Sequence, residues 1–118
     1  THNEAKVVEN NYGTFELIIK KANRFVNSWN GELIFVYLPD FNNYGKLWDN
    51  FEIKRKNTFL ESVNMDSILV IDANTIFDKH SSPLELFPFE QFLHYSEKGY
   101  RFLTLQLINI LKDRKIID

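Results

Sequence analysis

Two short apolar runs limit what this chain can become. Leu33 to Leu38 is an unbroken run of six, and Ile68 to Ile71 is a second run of four between Ser67 and Asp72. Neither alternates with polar residues. A strand wet on one face alternates, whereas a parallel strand covered on both faces by helices is continuously apolar. Pro39 and Asp40 end the first run, because proline has no N–H to give to a ladder.

Around these runs the apolar spacing becomes helical. After Thr14, Phe15, Ile18, Ala22, Phe25, Val26 and Trp29 recur every three or four residues, with Lys20, Lys21, Asn23, Arg24 and Asn27 between them. Asn30-Gly31 predicts a glycine C-cap. Phe51, Phe59, Leu60 and Val63 mark a second helix over 51–64, with Lys54, Arg55 and Lys56 on its wet side. Tyr100, Leu103, Leu107, Ile110 and Leu111 mark a last helix from Glu97 to about Lys112. Residues 1–13 are mostly polar and read as a loop or frayed arm, with Thr14 capping the first helix. Ala73 to Gln91 reads as a long connection. Pro83 and Pro88 forbid one continuous helix there, which leaves single turns near Thr75–Asp78 and Pro83–Leu86. Connections of that length are uncommon unless they serve a site.

Helices alternating with apolar strands imply right-handed crossovers and a parallel sheet. The expected fold class is therefore α/β, as a single domain over residues 1–118. Two strands make a very small sheet. It can be completed by short strands at 5–9 and 115–118, by strands from a homo-oligomeric partner, or by a missing half of a larger fold.

Composition removes several function classes. The chain has 118 residues and a net charge of −2, so it lacks the basic surplus of a general nucleic-acid binder. No apolar run approaches the roughly 20 residues of a membrane-spanning helix. There is no cysteine, which excludes disulfides and thiolate metal sites. His80 and Asp78 supply half a metal site with no evident third ligand, and no glycine-rich phosphate loop is present. Neither a metal nor a cofactor is expected.

The chemistry is concentrated in His94-Tyr95-Ser96-Glu97-Lys98-Gly99-Tyr100. Ser96 is a good N-cap for the last helix. Tyr95 and Tyr100 have the spacing of a hydrophobic staple, and Glu97 suits the positive end of the helix dipole. Local structure thus explains four of these residues and leaves His94 unexplained. The N-terminal dipole opposes a second positive charge, and a neutral imidazole is what a general base requires. The bland alternative is a loop histidine satisfied by a backbone carbonyl.

This block resembles the last conserved block of the SGNH/GDSL hydrolases, a family of esterases, lipases and acyltransferases on a flavodoxin-like α/β fold. The likeness extends over roughly residues 30–112, through the strand ending in Leu-Pro, the strand ending in Ile-Asp and the histidine block. It implies that His94 is a catalytic base and that the substrate is an acyl ester. The family's histidine is oriented by an aspartate three residues earlier, where this chain has Gln91, with Glu90 one position further back. Glu90, Gln91 and Asp78 all stay open as the orienting group. The family's nucleophile, a serine after Gly-Asp, is missing: none of Ser28, Ser62, Ser67, Ser81, Ser82 and Ser96 follows that pair. The expectation is the C-terminal part of such an enzyme, inactive alone. The rival is a non-catalytic binding or assembly module on the same scaffold. The segment Pro39 to Tyr44, with Asp72 and Asn74, leaves the carboxyl ends of the strands, where open α/β sheets bind ligands.

Overall fold

The structure, a computed structural model, describes residues 2–44, 50–64, 67–90 and 94–118, apart from the side chains of 2–12, 42, 50 and 51. Helices α1 (His2–Asn27), α2 (Asn50–Asn64), α3 (Ala73–Asp78) and α4 (Glu97–Asp113) alternate with strands β1 (Ile34–Tyr37) and β2 (Leu69–Asp72). Single 3-10 turns lie at Phe41–Tyr44, Pro83–Leu86 and Pro88–Glu90. β1 and β2 pair in parallel as a two-stranded sheet. The architecture is helix-rich α/β. The chain divides into two compact units, residues 1–36 with 50–71 and residues 37–49 with 72–118.

In the first unit α1 packs on α2. The rings of Phe15, Phe35 and Phe59 meet at centroid distances of 5.4–6.1 Å. Leu60, Val63, Ile68 and Ile71 are buried beside them in sequence order of α2 and β2. Ala22 and Val26 of the α1 stripe are half-buried, whereas Ile18 is 55%, Phe25 70% and Trp29, just past the helix end, 59% exposed. β1 is half-buried along its whole length rather than sealed on both faces. Among the described residues the sheet has two strands, too small a surface for helices to seal on both faces, which accounts for that difference from expectation.

The second unit is built on aromatic packing. Phe77 is fully buried, with the rings of Tyr44, Phe87, Tyr95 and Phe102 around it at 5.0–6.3 Å. Burying one such ring contributes about 1.5–3 kcal/mol. Leu86, Phe87 and Leu103 complete this core. α4 packs on α3 and on the Pro83–Leu86 turn. The chain passes from β2 into α3 without a loop, because Asp72 accepts the Asn74 N–H at 3.0 Å and caps the helix. Next to the Pro88–Glu90 turn, Phe89 and Glu90 are both left-handed, each with φ 53°. Phe89 points outward and is 88% exposed.

Several expectations need correcting. The first helix begins at His2, so residues 2–13 are not a loop and Thr14 lies inside the helix. Gly13 was the natural break. One interior glycine costs about 1 kcal/mol against alanine, too little to stop a helix that continues on both sides. Residues 5–9 therefore form no strand. Residues 115–118 form none either: Lys115 is left-handed, and the Ile116 N–H donates to the Leu111 carbonyl at 2.9 Å, folding the tail over the helix end. At the end of α1 the left-handed residue is Asn30, φ 61°, and the Gly31 N–H closes the cap on the Val26 carbonyl at 2.9 Å. A Cβ at Gly31 would overlap the tip of the exposed Trp29 ring, which would have to swing aside. The α2 and α4 boundaries, the two strands and both single turns lie within a residue or two of expectation.

Candidate active site

The mouth of α4 is held from several sides within the second unit. Ser96 adopts extended φ/ψ, and its Oγ accepts the Gly99 N–H at 3.1 Å, as an N-cap should. The Tyr95 and Tyr100 rings meet edge to face at 5.4 Å, which forms the staple. Glu97 pairs with Arg101 at 3.2 Å one turn on. The Tyr95 hydroxyl donates to the carbonyl of Pro39, in the segment that leaves β1. Burial pushes the Tyr95 phenol well above its ordinary range, with Tyr100, Asp40 and Tyr37 adding to the shift.

A second set of contacts fixes the backbone. The Ser96 N–H donates to the Leu86 carbonyl at 2.9 Å. Gly99 is buried against that same carbonyl, and a Cβ would overlap its oxygen. Lys98 reaches Glu85 at 2.7 Å. The hydrogen bond and charge of Lys98 hold the Glu85 carboxyl below the usual carboxylate range.

His94 stands at this mouth and is exposed. Its Nδ1 lies 3.2 Å from the Tyr95 carbonyl oxygen. A carbonyl can only accept, so the hydrogen bond requires the proton on Nδ1, and in a neutral ring the lone pair is then on Nε2. Expectation had allowed for such a carbonyl contact as the uneventful alternative. The contact occupies one nitrogen and leaves the other able to take a proton.

His80 is arranged the opposite way. Its Nδ1 accepts the Ser82 N–H at 3.0 Å, and its ring lies edge-on to Phe102 at 5.0 Å. It serves the turn before Pro83. Among the described residues no group of three or more His, Asp or Glu side chains is placed to hold a metal ion.

The candidate orienting acids stand apart from the imidazole's hydrogen bond. Glu90 is exposed and left-handed, and among the described residues no hydrogen bond joins it to His94. Asp78 accepts from the Asn74 amide at 3.3 Å. Gln91 lies outside the described residues. The serine hydroxyls of Ser28 and Ser62 donate into their own helices, to the carbonyls of Phe25 and Phe59 at 2.6 and 2.7 Å. Ser96 is occupied as a cap. Among the described residues no serine hydroxyl is hydrogen-bonded to His94.

The segments that follow the two strands are brought together. Asn43 donates to Asn74 at 2.6 Å and accepts the Asp40 N–H at 3.1 Å. Beside them the Tyr44 hydroxyl is buried without a partner among the described residues. Burial first, then the charges of Asp78 and Asp72 and the neighbouring phenols of Tyr95 and Tyr37, raises the Tyr44 phenol far above its ordinary range. The sequence marked both segments as cleft candidates. It could not show that Asn43 and Asn74 pair, because a single sequence carries no signal for a contact 31 residues apart.

No family model, curated protein or solved structure matches the chain.

Proposed function

We propose that this chain is the C-terminal part of an SGNH/GDSL-like esterase or acyltransferase, with His94 as the base for a serine outside these residues. On this reading the fold is part of a flavodoxin-like three-layer arrangement. The observation that carries the proposal is the placement of His94: exposed at the mouth of α4, with Nδ1 on a carbonyl and no hydrogen bond to Nε2 among the described residues. That is the form of imidazole that accepts a proton. The cap and the staple around it match the block whose resemblance suggested the role.

The chemistry is acyl transfer. The serine Oγ attacks the ester carbonyl carbon as Nε2 of His94 removes its proton. The tetrahedral intermediate then expels the alcohol, which takes that proton back from Nε2. Water repeats the sequence in a hydrolase, and a second alcohol does so in an acyltransferase. The serine and the oxyanion donors come from a segment outside these residues. The substrate is an acyl ester. The absence of a carboxylate on Nδ1 would lower the rate by orders of magnitude relative to a full triad.

A non-catalytic binding or assembly module is the second reading. Gln91 in place of an aspartate favours it.

The test is hydrolysis of a short-chain aryl ester. The chain alone should show none above the imidazole background. Together with the polypeptide encoded upstream of Thr1 it should turn over, and His94→Ala should abolish that turnover. Turnover by the chain alone that is lost in His94→Ala would remove the need for an outside serine. An upstream sequence without a Gly-Asp-Ser block would favour the module.

A further inference from the structure

We infer that the peptide unit between Tyr95 and Ser96 is the positioning group for His94, standing where a triad has its carboxylate. This rests on His94 being a base, as proposed above, and says what orients it. The carbonyl of that peptide accepts from Nδ1 of His94 at 3.2 Å. The N–H of the same peptide donates to the Leu86 carbonyl at 2.9 Å. A trans peptide is planar, with its C=O and N–H on opposite sides. Pinning the N–H on Leu86 therefore directs the C=O to the other side, towards the imidazole.

The peptide is held at both ends. Upstream, the Tyr95 side chain is buried, and its hydroxyl donates to the Pro39 carbonyl. Downstream, Ser96 is fixed as the cap of α4 through Gly99. Gly99 also lets α4 approach the Leu86 carbonyl, a space that any Cβ would fill. Leu86 is itself fully buried. The chain from core to imidazole thus runs Leu86 carbonyl, Ser96 N–H, Tyr95 carbonyl, Nδ1. Among the described residues no carboxylate takes part in it.

A carbonyl does for the ring what a carboxylate does geometrically: it selects the Nδ1–H tautomer and aims Nε2 outward. It lacks the full negative charge that would stabilise an imidazolium. The arrangement sets the base without strengthening it.

The readout is the tautomer of neutral His94, observed by long-range proton–nitrogen NMR on the nitrogen-15-labelled 118-residue chain in alkaline buffer. His→Gln substitutions at positions 2, 80 and 94 assign the three rings. His94 should be mainly the Nδ1–H tautomer. His80, whose Nδ1 accepts from Ser82, should be mainly Nε2–H and serves as the internal reference. Gly99→Ala should return His94 towards the mixture of free imidazole while His80 keeps its signature. Glu90→Gln should leave His94 unchanged.

An Nε2–H tautomer at His94 in the unaltered chain would overturn the inference, whether or not any variant folds. So would a folded Gly99→Ala with the His94 tautomer untouched, or a Glu90→Gln that shifts it. If Gly99→Ala does not fold, Tyr95→Phe replaces it. That variant removes only the hydroxyl tie to Pro39, and it should loosen the same tautomer preference. An Nδ1–H His94 in a chain that gives no ester turnover even together with the polypeptide encoded upstream of Thr1 would sink the enzymatic reading and leave the tautomer assignment standing.

Discussion

The second unit seals an aromatic core, and the first leaves much of its longest apolar stripe wet. Phe77, Leu86 and Phe87 are sealed, while Ile18 and Phe25 of α1 and Trp29 just past its end lie mostly in solvent. Both units draw on the same aromatic-rich composition. The difference comes from what each stripe has to pack against. α4 has α3 and the Pro83–Leu86 turn beneath it, and tyrosines that close the gaps. α1 has α2 and a sheet of only two strands. An apolar stripe is thus a statement about what a helix can bury, and the supply of opposing surface decides how much of it is buried.

The contrast can be broken most forcefully at Phe77. Phe77→Ala should cost about 3–5 kcal/mol, measured by denaturant unfolding, because the ring is enclosed and its neighbours cannot collapse into the space. A loss below about 1 kcal/mol would mean that this core is loosely packed.

Next comes Tyr44, the flaw in the same core. Its hydroxyl is buried without a partner among the described residues, so Tyr44→Phe should stabilise by about 1 kcal/mol. The pH dependence has a definite sign. The folded phenol is raised above its ordinary 10.0, so its contribution is intact below that pH and is lost as pH rises beyond it. Tyr44→Phe should therefore soften the alkaline loss of stability. Phenolate absorbance should show Tyr44 and Tyr95 ionising last in the folded protein. A destabilised Tyr44→Phe would mean that the hydroxyl has a partner after all.

The smallest effect is expected in α1. Phe25→Ser should change stability by no more than about 0.5 kcal/mol, since a ring already in water gives up little on removal. Size-exclusion chromatography of the same variant sharpens the comparison. If self-association of the parent chain disappears in the variant, the stripe is what a second copy covers. A large loss of stability in a chain that stays monomeric would show that the two units do not differ in this way.

The regular elements of this molecule were legible because their signals are local. Ser96 followed by Gly99, the Tyr95–Tyr100 spacing and the run from Leu33 to Leu38 each report on a few neighbouring residues. The beginning of α1 was misread because Gly13 and a polar start resemble a loop, whereas helix propagation tolerates one poor residue. The wetness of β1 was missed because an apolar run states a demand for cover and not its supply. At the site, the position of His94 was legible and its partner was not. The sequence directs attention to Glu90 and Gln91 as side chains that could orient it. The group on Nδ1 is a main-chain carbonyl, which every residue carries and no sequence can single out.

The paired left-handed residues Phe89 and Glu90 act as a sieve on how this surface can drift. Glycine, asparagine and aspartate pass at those positions, whereas valine, isoleucine and proline would break the turn. The outward phenyl ring is free to vanish in a descendant, and the bend beneath it is not. Lineages of this chain should therefore keep the shape of the corner long after the residues that now form it have been exchanged.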